Sequence, residues 1–140
     1  MEAPDAPGDV LNHLDPGVEL VVPLANGEPT AVLDAIEAAV AADPDRFDRL
    51  RVHQMHAIND RRYLRGEFGD SFRHVSYFLS HITRPYFRDG SVSLVPAHFS
   101  EVFQLMRSRI ERPIVIAAAS PPDRHGYFSL GVSADYTSSF

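Results

Sequence analysis

Pro113-Ile114-Val115-Ile116-Ala117-Ala118-Ala119 is the clearest strand signal in the chain. Its nearly continuous apolar run is the pattern of a strand covered on both faces, as in a parallel sheet flanked by helices. Ser120-Pro121-Pro122-Asp123-Arg124-His125-Gly126 follows at once and turns the chain. Working outward, residues 18–22, 50–56, 72–79, 91–95 and 127–132 also read as strands. Residues 29–42 read as a helix, with Val32, Leu33, Ile36, Ala39 and Val40 on one face and Pro29 in the first turn, where its missing N–H costs nothing. A second helix is expected over 100–109, with Ser100 as N-cap, Glu101 at its positive end and Val102, Phe103 and Met106 turned inward. Residues 59–70 are polar, Arg-rich and punctuated by glycine, the composition of a loop. Ser133-Ala134-Asp135 reads as the cap of a last helix, so the chain stops in the middle of a unit. Strands alternating with helices imply an α/β layered domain with a mainly parallel sheet and flanking helices.

The chain has 140 residues, 44% hydrophobic and 23% charged, which fits one soluble globular domain. Residues 1–14 are expected to form a flexible leader and residues 15–140 the domain. A formal net charge of −6 argues against a nucleic-acid partner. No apolar run approaches the roughly 20 residues that cross a bilayer, and the acidic, Pro-rich start is no signal peptide, so no membrane partner and a cytoplasmic location are expected. There is no Cys and no Lys, all 13 cationic residues being Arg. Thiolate catalysis, disulfides, Cys-ligated zinc, Schiff bases and the P-loop lysine are thereby excluded.

The bend at residues 120–131 concentrates chemistry: two prolines stiffen it, Gly126 and Gly131 let backbone approach a ligand, and Ser120, Asp123 and His125 supply polar groups. It follows a strand at the carboxyl end, where open α/β sheets place ligand crevices. A rigid hairpin with Asp123 capping the turn accounts for the same residues.

Ser120-Pro121-Pro122-Asp123-x-His125-Gly126-Tyr127-x-Ser129-x-Gly131 resembles the signature of the acetyl-CoA hydrolase/transferase family, which includes 4-hydroxybutyrate CoA-transferase. Gly27-Glu28-Pro29 is similar to that family's Gly-x-Pro turn into a helix. Residues 72–83 with Pro96-Ala97-His98-Phe99-Ser100-Glu101 resemble a third of its motifs, in the same order. The resemblance covers residues 15–140 and implies the CoA-transferase α/β fold, built as two similar halves with the active site between them. It implies acyl-CoA and a small carboxylate as substrates and no permanently bound cofactor. In that family a glutamate attacks the thioester, an acyl-glutamyl anhydride forms, and CoA thiolate returns to give a glutamyl-CoA thioester. That glutamate belongs to the carboxyl-terminal half, so the resemblance implies a carboxyl-terminally truncated chain without catalytic residues of its own. The residues expected to line the substrate cleft are Gly27, Glu28, Pro29, Ser120, Pro121, Pro122, Asp123, His125, Gly126, Tyr127 and Gly131. A complementary half or a second copy would cover an exposed apolar face.

Other residues carry less. Glu28 sits at a strand-to-helix turn, yet a helix-start acid explains it as well as a nucleophile does. His53 and His56 are three apart on a strand and face opposite ways, and the remaining histidines lack ligand spacing, so no metal site is expected. Arg61, Arg62 and Arg65 could meet CoA phosphates, but Asp60, Glu67 and Asp70 balance them and favour a solvated loop. No Gly-x-Ser-x-Gly elbow exists for a serine hydrolase. The rival to the enzyme reading is a non-catalytic CoA-binding or subunit-interaction module.

Overall fold

Residues 6–140 are described by a computed structural model, and five short strands carry it: β1 (Glu19–Val21), β2 (Leu50–Gln54), β3 (Phe72–Ser76), β4 (Val92–Leu94) and β5 (Pro113–Val115). They form one sheet in the order β4-β3-β2-β1-β5, and every pairing is parallel. A parallel pair needs a crossover that carries the chain back along a face of the sheet. Helices α1 (Thr30–Ala42), α2 (Thr83–Arg88) and α3 (Val102–Arg109) lie between strands and serve that purpose.

Alternation along each strand divides the core in two. On one face Leu20, Val22, Leu50, Val52, Phe72 and Val92 pack with Leu33, Ile36 and Val40 of α1. Val21 and Tyr77 point the other way, against Val102 and Met106 of α3 and against Tyr136. Leu33 and Ile36 are fully buried, and each contributes about 1.5–3 kcal/mol by leaving water. The apolar spacing that predicts α1 is therefore the spacing that docks it. In α3, Val102 and Met106 are buried and Phe103 packs partly, as expected, but Ser100 makes no side-chain cap; Phe99–Glu101 form a 3-10 turn that leads into the helix.

Four expectations need correction. The leader is not loose from Pro7 onward: Pro7–His13 form a 3-10 helix, Val10 and Leu11 pack on the core, and Leu14 is buried. Asp9 fastens its start by accepting the Ala6 amide at 2.9 Å. Residues 1–5 of the expected leader lie outside the described residues. Strand β5 is three residues rather than seven, because it stands at the edge of the sheet with a single neighbour and Val115 is 38% exposed. Residues 127–132 form no strand of the sheet; residues 127–129 fold back on 120–123 in a hairpin, with Asp123 N donating to the Tyr127 carbonyl and Ser120 N to the Ser129 carbonyl. The loop 59–70 is anchored, with Tyr63 and Leu64 fully buried. Helix α2 adds an element that periodicity does not predict; Ser80 and Thr83 exchange hydrogen bonds at its start.

His74 on β3 is wholly buried, stacked on Tyr63 at 5.9 Å, and neither ring nitrogen has a hydrogen-bond partner. Burial holds its pKa down from 6.5 to about 3, with a smaller push from His53. The unfolded chain takes a proton near 6.5, so this neutral ring leaves stability intact above that pH and subtracts from it as pH falls toward about 3. The expected slope is about 1.4 kcal/mol per pH unit. In chemical denaturation between about pH 7 and about pH 5, His74→Phe should lose less stability than wild type; equal losses would remove His74 as the cause.

Candidate functional site

Strand β1 has β2 on one side and β5 on the other, so the direction in which strands are added reverses beside it. At such a switch point the connections leave in opposite directions and open a crevice beyond the carboxyl ends of the strands. Two loops depart there, residues 22–29 after β1 and residues 116–135 after β5.

The first loop turns through the 3-10 segment Ala25–Gly27. Ala25 adopts φ +48°, a left-handed conformation uncommon for a residue with a Cβ, and its amide is held by the His56 carbonyl at 2.9 Å. Gly27 is fixed by space. A Cβ there would lie 2.6 Å from Pro23 Cβ and 2.7 Å from Ser133 Cβ, closer than carbon atoms approach. Pro29 precedes the first residue of α1, where its ring disturbs no helical hydrogen bond.

Glu28, between them, turns inward. Its Oε1 accepts from Arg61 Nε at 2.7 Å and Asn59 Nδ2 at 3.0 Å, and its Oε2 accepts from Gln54 Nε2 at 3.1 Å. The Glu28 and Arg61 side chains are only 1% and 4% exposed, and Arg61 also reaches Asp34 at 2.8 Å. Arg61 is therefore a buried structural cation, which corrects the expectation of a solvated loop residue. Its neighbours do behave as expected: Arg62 pairs with Glu67 and Arg65 with Asp60 at the surface. A carboxylate committed to three donors holds the loop; it is poorly arranged to attack an electrophile.

Residues 120–127 take the hairpin alternative. Ser120 N donates to the Ser129 carbonyl at 2.9 Å and Asp123 N to the Tyr127 carbonyl at 2.8 Å. Asp123 Oδ1 caps the tip by accepting the amides of His125 at 2.8 Å and Tyr127 at 3.0 Å. Ser120, Pro121, Pro122, Asp123, His125, Gly126 and Tyr127 are all exposed, and no hydrogen bond ties them to Gly27, Glu28 or Pro29. What returns to the first loop is the segment behind the hairpin. The turn Gly131–Ser133 packs on Gly27, leaving a shallow depression of about 170 Å³ lined by Leu24, Ala25, Asn26, Val132, Ser133 and Asp135. Asp135 accepts the Leu24 amide at 2.7 Å and caps Tyr136–Ser139 through the Thr137 amide at 2.8 Å.

Of the expected lining residues, the structure thus brings Gly27 to the turn that starts at Gly131, buries Glu28 and Pro29 beneath it, and leaves residues 120–127 in solvent. The amino-acid order does not single out Gln54, Asn59 or Tyr136, and it offers Arg61 only as a CoA-phosphate contact or a solvated loop residue. His53 lies between Tyr77 Oη at 2.9 Å and Glu19 at 3.1 Å, while His56 stacks on Phe78 at 5.6 Å. Among the described residues no group of three or more His, Asp or Glu is placed to share a metal ion, and no helix is long and apolar enough to cross a membrane.

A family model described as the acetyl-CoA hydrolase/transferase N-terminal domain matches residues 5–140. Over 114 residues the chain is 31% identical to a 4-hydroxybutyrate coenzyme A transferase of Clostridium kluyveri, covering 81% of this chain and 26% of the relative. A succinyl-CoA:cyclohexane-1-carboxylate CoA transferase of Geobacter metallireducens is 30% identical over 121 residues, with 84% and 26% covered. The chain therefore spans about a quarter of the length of these curated relatives. Among solved structures, RipA from Yersinia pestis superposes with a TM-score of 0.80 at 30% identity, over 95% of this chain and 32% of that one. A 4-hydroxybutyrate CoA-transferase from Porphyromonas gingivalis shares the fold, with a TM-score of 0.58 at 22% identity over 95% and 29% of the two chains.

Two substitutions test this floor. Arg61→Met leaves the Glu28 charge buried without its cation and should cost about 3–5 kcal/mol in urea unfolding. Gly27→Ala should cost about 1–3 kcal/mol by overpacking against Pro23 and Ser133. A loss below about 0.5 kcal/mol in either would contradict the geometry described.

Proposed function

Because the chain belongs to the acetyl-CoA hydrolase/transferase family, as its N-terminal domain, over residues 5–140, we propose that it supplies one wall of a cleft in which CoA is exchanged between an acyl-CoA and a small carboxylate, or in which the thioester is hydrolysed. The observation that carries this reading is the sheet order. It sets the Gly27-Glu28-Pro29 turn and the 120–131 hairpin on the loops that leave either side of the β1–β5 switch point.

In the proposed reaction a glutamate carboxylate from polypeptide outside these residues attacks the thioester carbonyl. The C–S bond breaks, CoA leaves as thiolate and an acyl-glutamyl anhydride remains. The thiolate then attacks the glutamyl carbonyl of the anhydride, forming a glutamyl-CoA thioester and releasing the acyl group as its carboxylate. A second carboxylate reverses the sequence, whereas water completes a hydrolysis. Glu28 takes no part, since its oxygens are committed to Gln54, Asn59 and Arg61.

This chain contributes shape, backbone contact and exclusion of water. Gly27, Glu28 and Pro29 form the floor below the depression. Ser120, Pro121, Pro122, Asp123, His125, Gly126 and Tyr127 form a stiff arm, with Gly131 at its base. Tyr127, Phe128 and Val132 are 75%, 62% and 95% exposed, an apolar surface that suits cover by the complementary half or another copy. The proposed setting is the cytoplasm.

The test combines this chain with the complementary carboxyl-terminal polypeptide containing the glutamate, then follows CoA exchange between acetyl-CoA and a free carboxylate. Turnover by the mixture, with none from either part alone, is the expected result. Turnover by the isolated chain that Glu28→Gln abolishes would restore Glu28 as nucleophile. A folded mixture that binds CoA in calorimetry but never turns over would favour the non-catalytic module.

A further inference from the structure

Strands β1 and β2 are parallel, with Val21 opposite His53. Evenly spaced, slanted hydrogen bonds then require Val22 N to donate to the His53 carbonyl, as it does at 3.0 Å. By the same geometry the next rung runs from Met55 N to the Val22 carbonyl. That rung is occupied by a side chain. Met55 N donates to the Tyr136 hydroxyl at 3.0 Å, and the hydroxyl donates to the Val22 carbonyl at 2.6 Å. The strands meet again directly one step later, where Ala25 N donates to the His56 carbonyl at 2.9 Å. Tyr136 is 5% exposed, and desolvation raises its pKa, so the phenol keeps the proton it donates.

We propose that Tyr136 is a positioning residue for the crevice, its phenol serving as an inserted rung that holds the carboxyl ends of β1 and β2 apart. The detour it forces on Val22, Pro23 and Leu24 places Ala25, Gly27 and Glu28. Asp135 secures the same detour by accepting the Leu24 amide at 2.7 Å, and Ser133 fills the space beside Gly27. The last residues of the chain are thus woven into the floor, and the β1 exit keeps its shape only while they are docked. Its relevance to catalysis rests on the CoA-transferase reading, but its geometry does not.

Residue-resolved amide hydrogen exchange on the unliganded chain tests the proposal. In Tyr136→Phe, the Met55 and Leu24 amides should both exchange at least about tenfold faster, while Val22 and Val52 keep their protection. Acceleration at Met55 alone would make Tyr136 a local partner and overturn the positioning role, as would no change at either amide. Should Tyr136→Phe fail to fold, Asp135→Asn decides, because it keeps the phenol and weakens only the bonds that Asp135 accepts from Leu24 and Thr137. Met55 should then lose protection together with Leu24 and Thr137, and continued protection of Met55 would overturn the proposal. No ligand enters the measurement, so failure of the thioester reading would leave this result standing.

Discussion

A carboxylate withdrawn from water has to be met by donors on every side, and Glu28 imposes that demand on the end of the sheet. Taking such an ion out of solvent costs several kcal/mol, and a close cation with further hydrogen bonds is needed to offset it. Gln54 comes from the end of β2, while Asn59 and Arg61 come from the loop beyond it, so one side chain fixes where that loop runs. Arg61 passes the constraint to α1 through Asp34. Glu37, one turn further on, accepts the Tyr63 amide at 3.1 Å and steadies the loop's far side. Burial raises the Glu37 pKa, against the pull of that amide and of Arg61. Two acids of α1 and one arginine thus organise backbone that forms no regular secondary structure.

Much of this fold is legible in the amino-acid order, for identifiable reasons. An apolar run marks β1, and alternating apolar residues mark β2, β3 and β4, because those strands turn side chains into the cores on the faces of the sheet. The 3.6-residue rhythm of Leu33, Ile36 and Val40 marks α1 because one helix face meets the sheet. The reading fails where apolarity has another cause. Tyr127, Phe128 and Val132 suggest a strand by composition, yet Tyr127 and Phe128 stand on an exposed hairpin and Val132 on the turn behind it. Residues 117–119 prolong the apolar run of β5 without adding to it, since alanine is small enough to sit at a surface without penalty.

The candidate site divides in the same way. Gly27 and the Pro-Pro-Asp bend announce themselves locally, because rigid and permissive residues change backbone geometry where they stand. The Glu28–Arg61 pair does not, since its members are 33 residues apart and Arg61 is surrounded by charges that cancel in sequence. Tyr136 is less legible still. A phenol on a short terminal turn acquires meaning only once two strands have parted in front of it.

Strand β5 leaves one flank of the sheet unclosed, and its first residue bears on what can adhere there. Ile116 N points inward, to the Val21 carbonyl, so strand alternation turns the backbone nitrogens of residues 113 and 115 outward. Proline at 113 has no hydrogen to offer, which leaves Val115 as the sole outward donor of the strand. An incoming extended segment finds too few groups there to lock its register. Along the described residues, the β5 edge is thus a poor template for edge-to-edge stacking and the fibrous growth that follows from it.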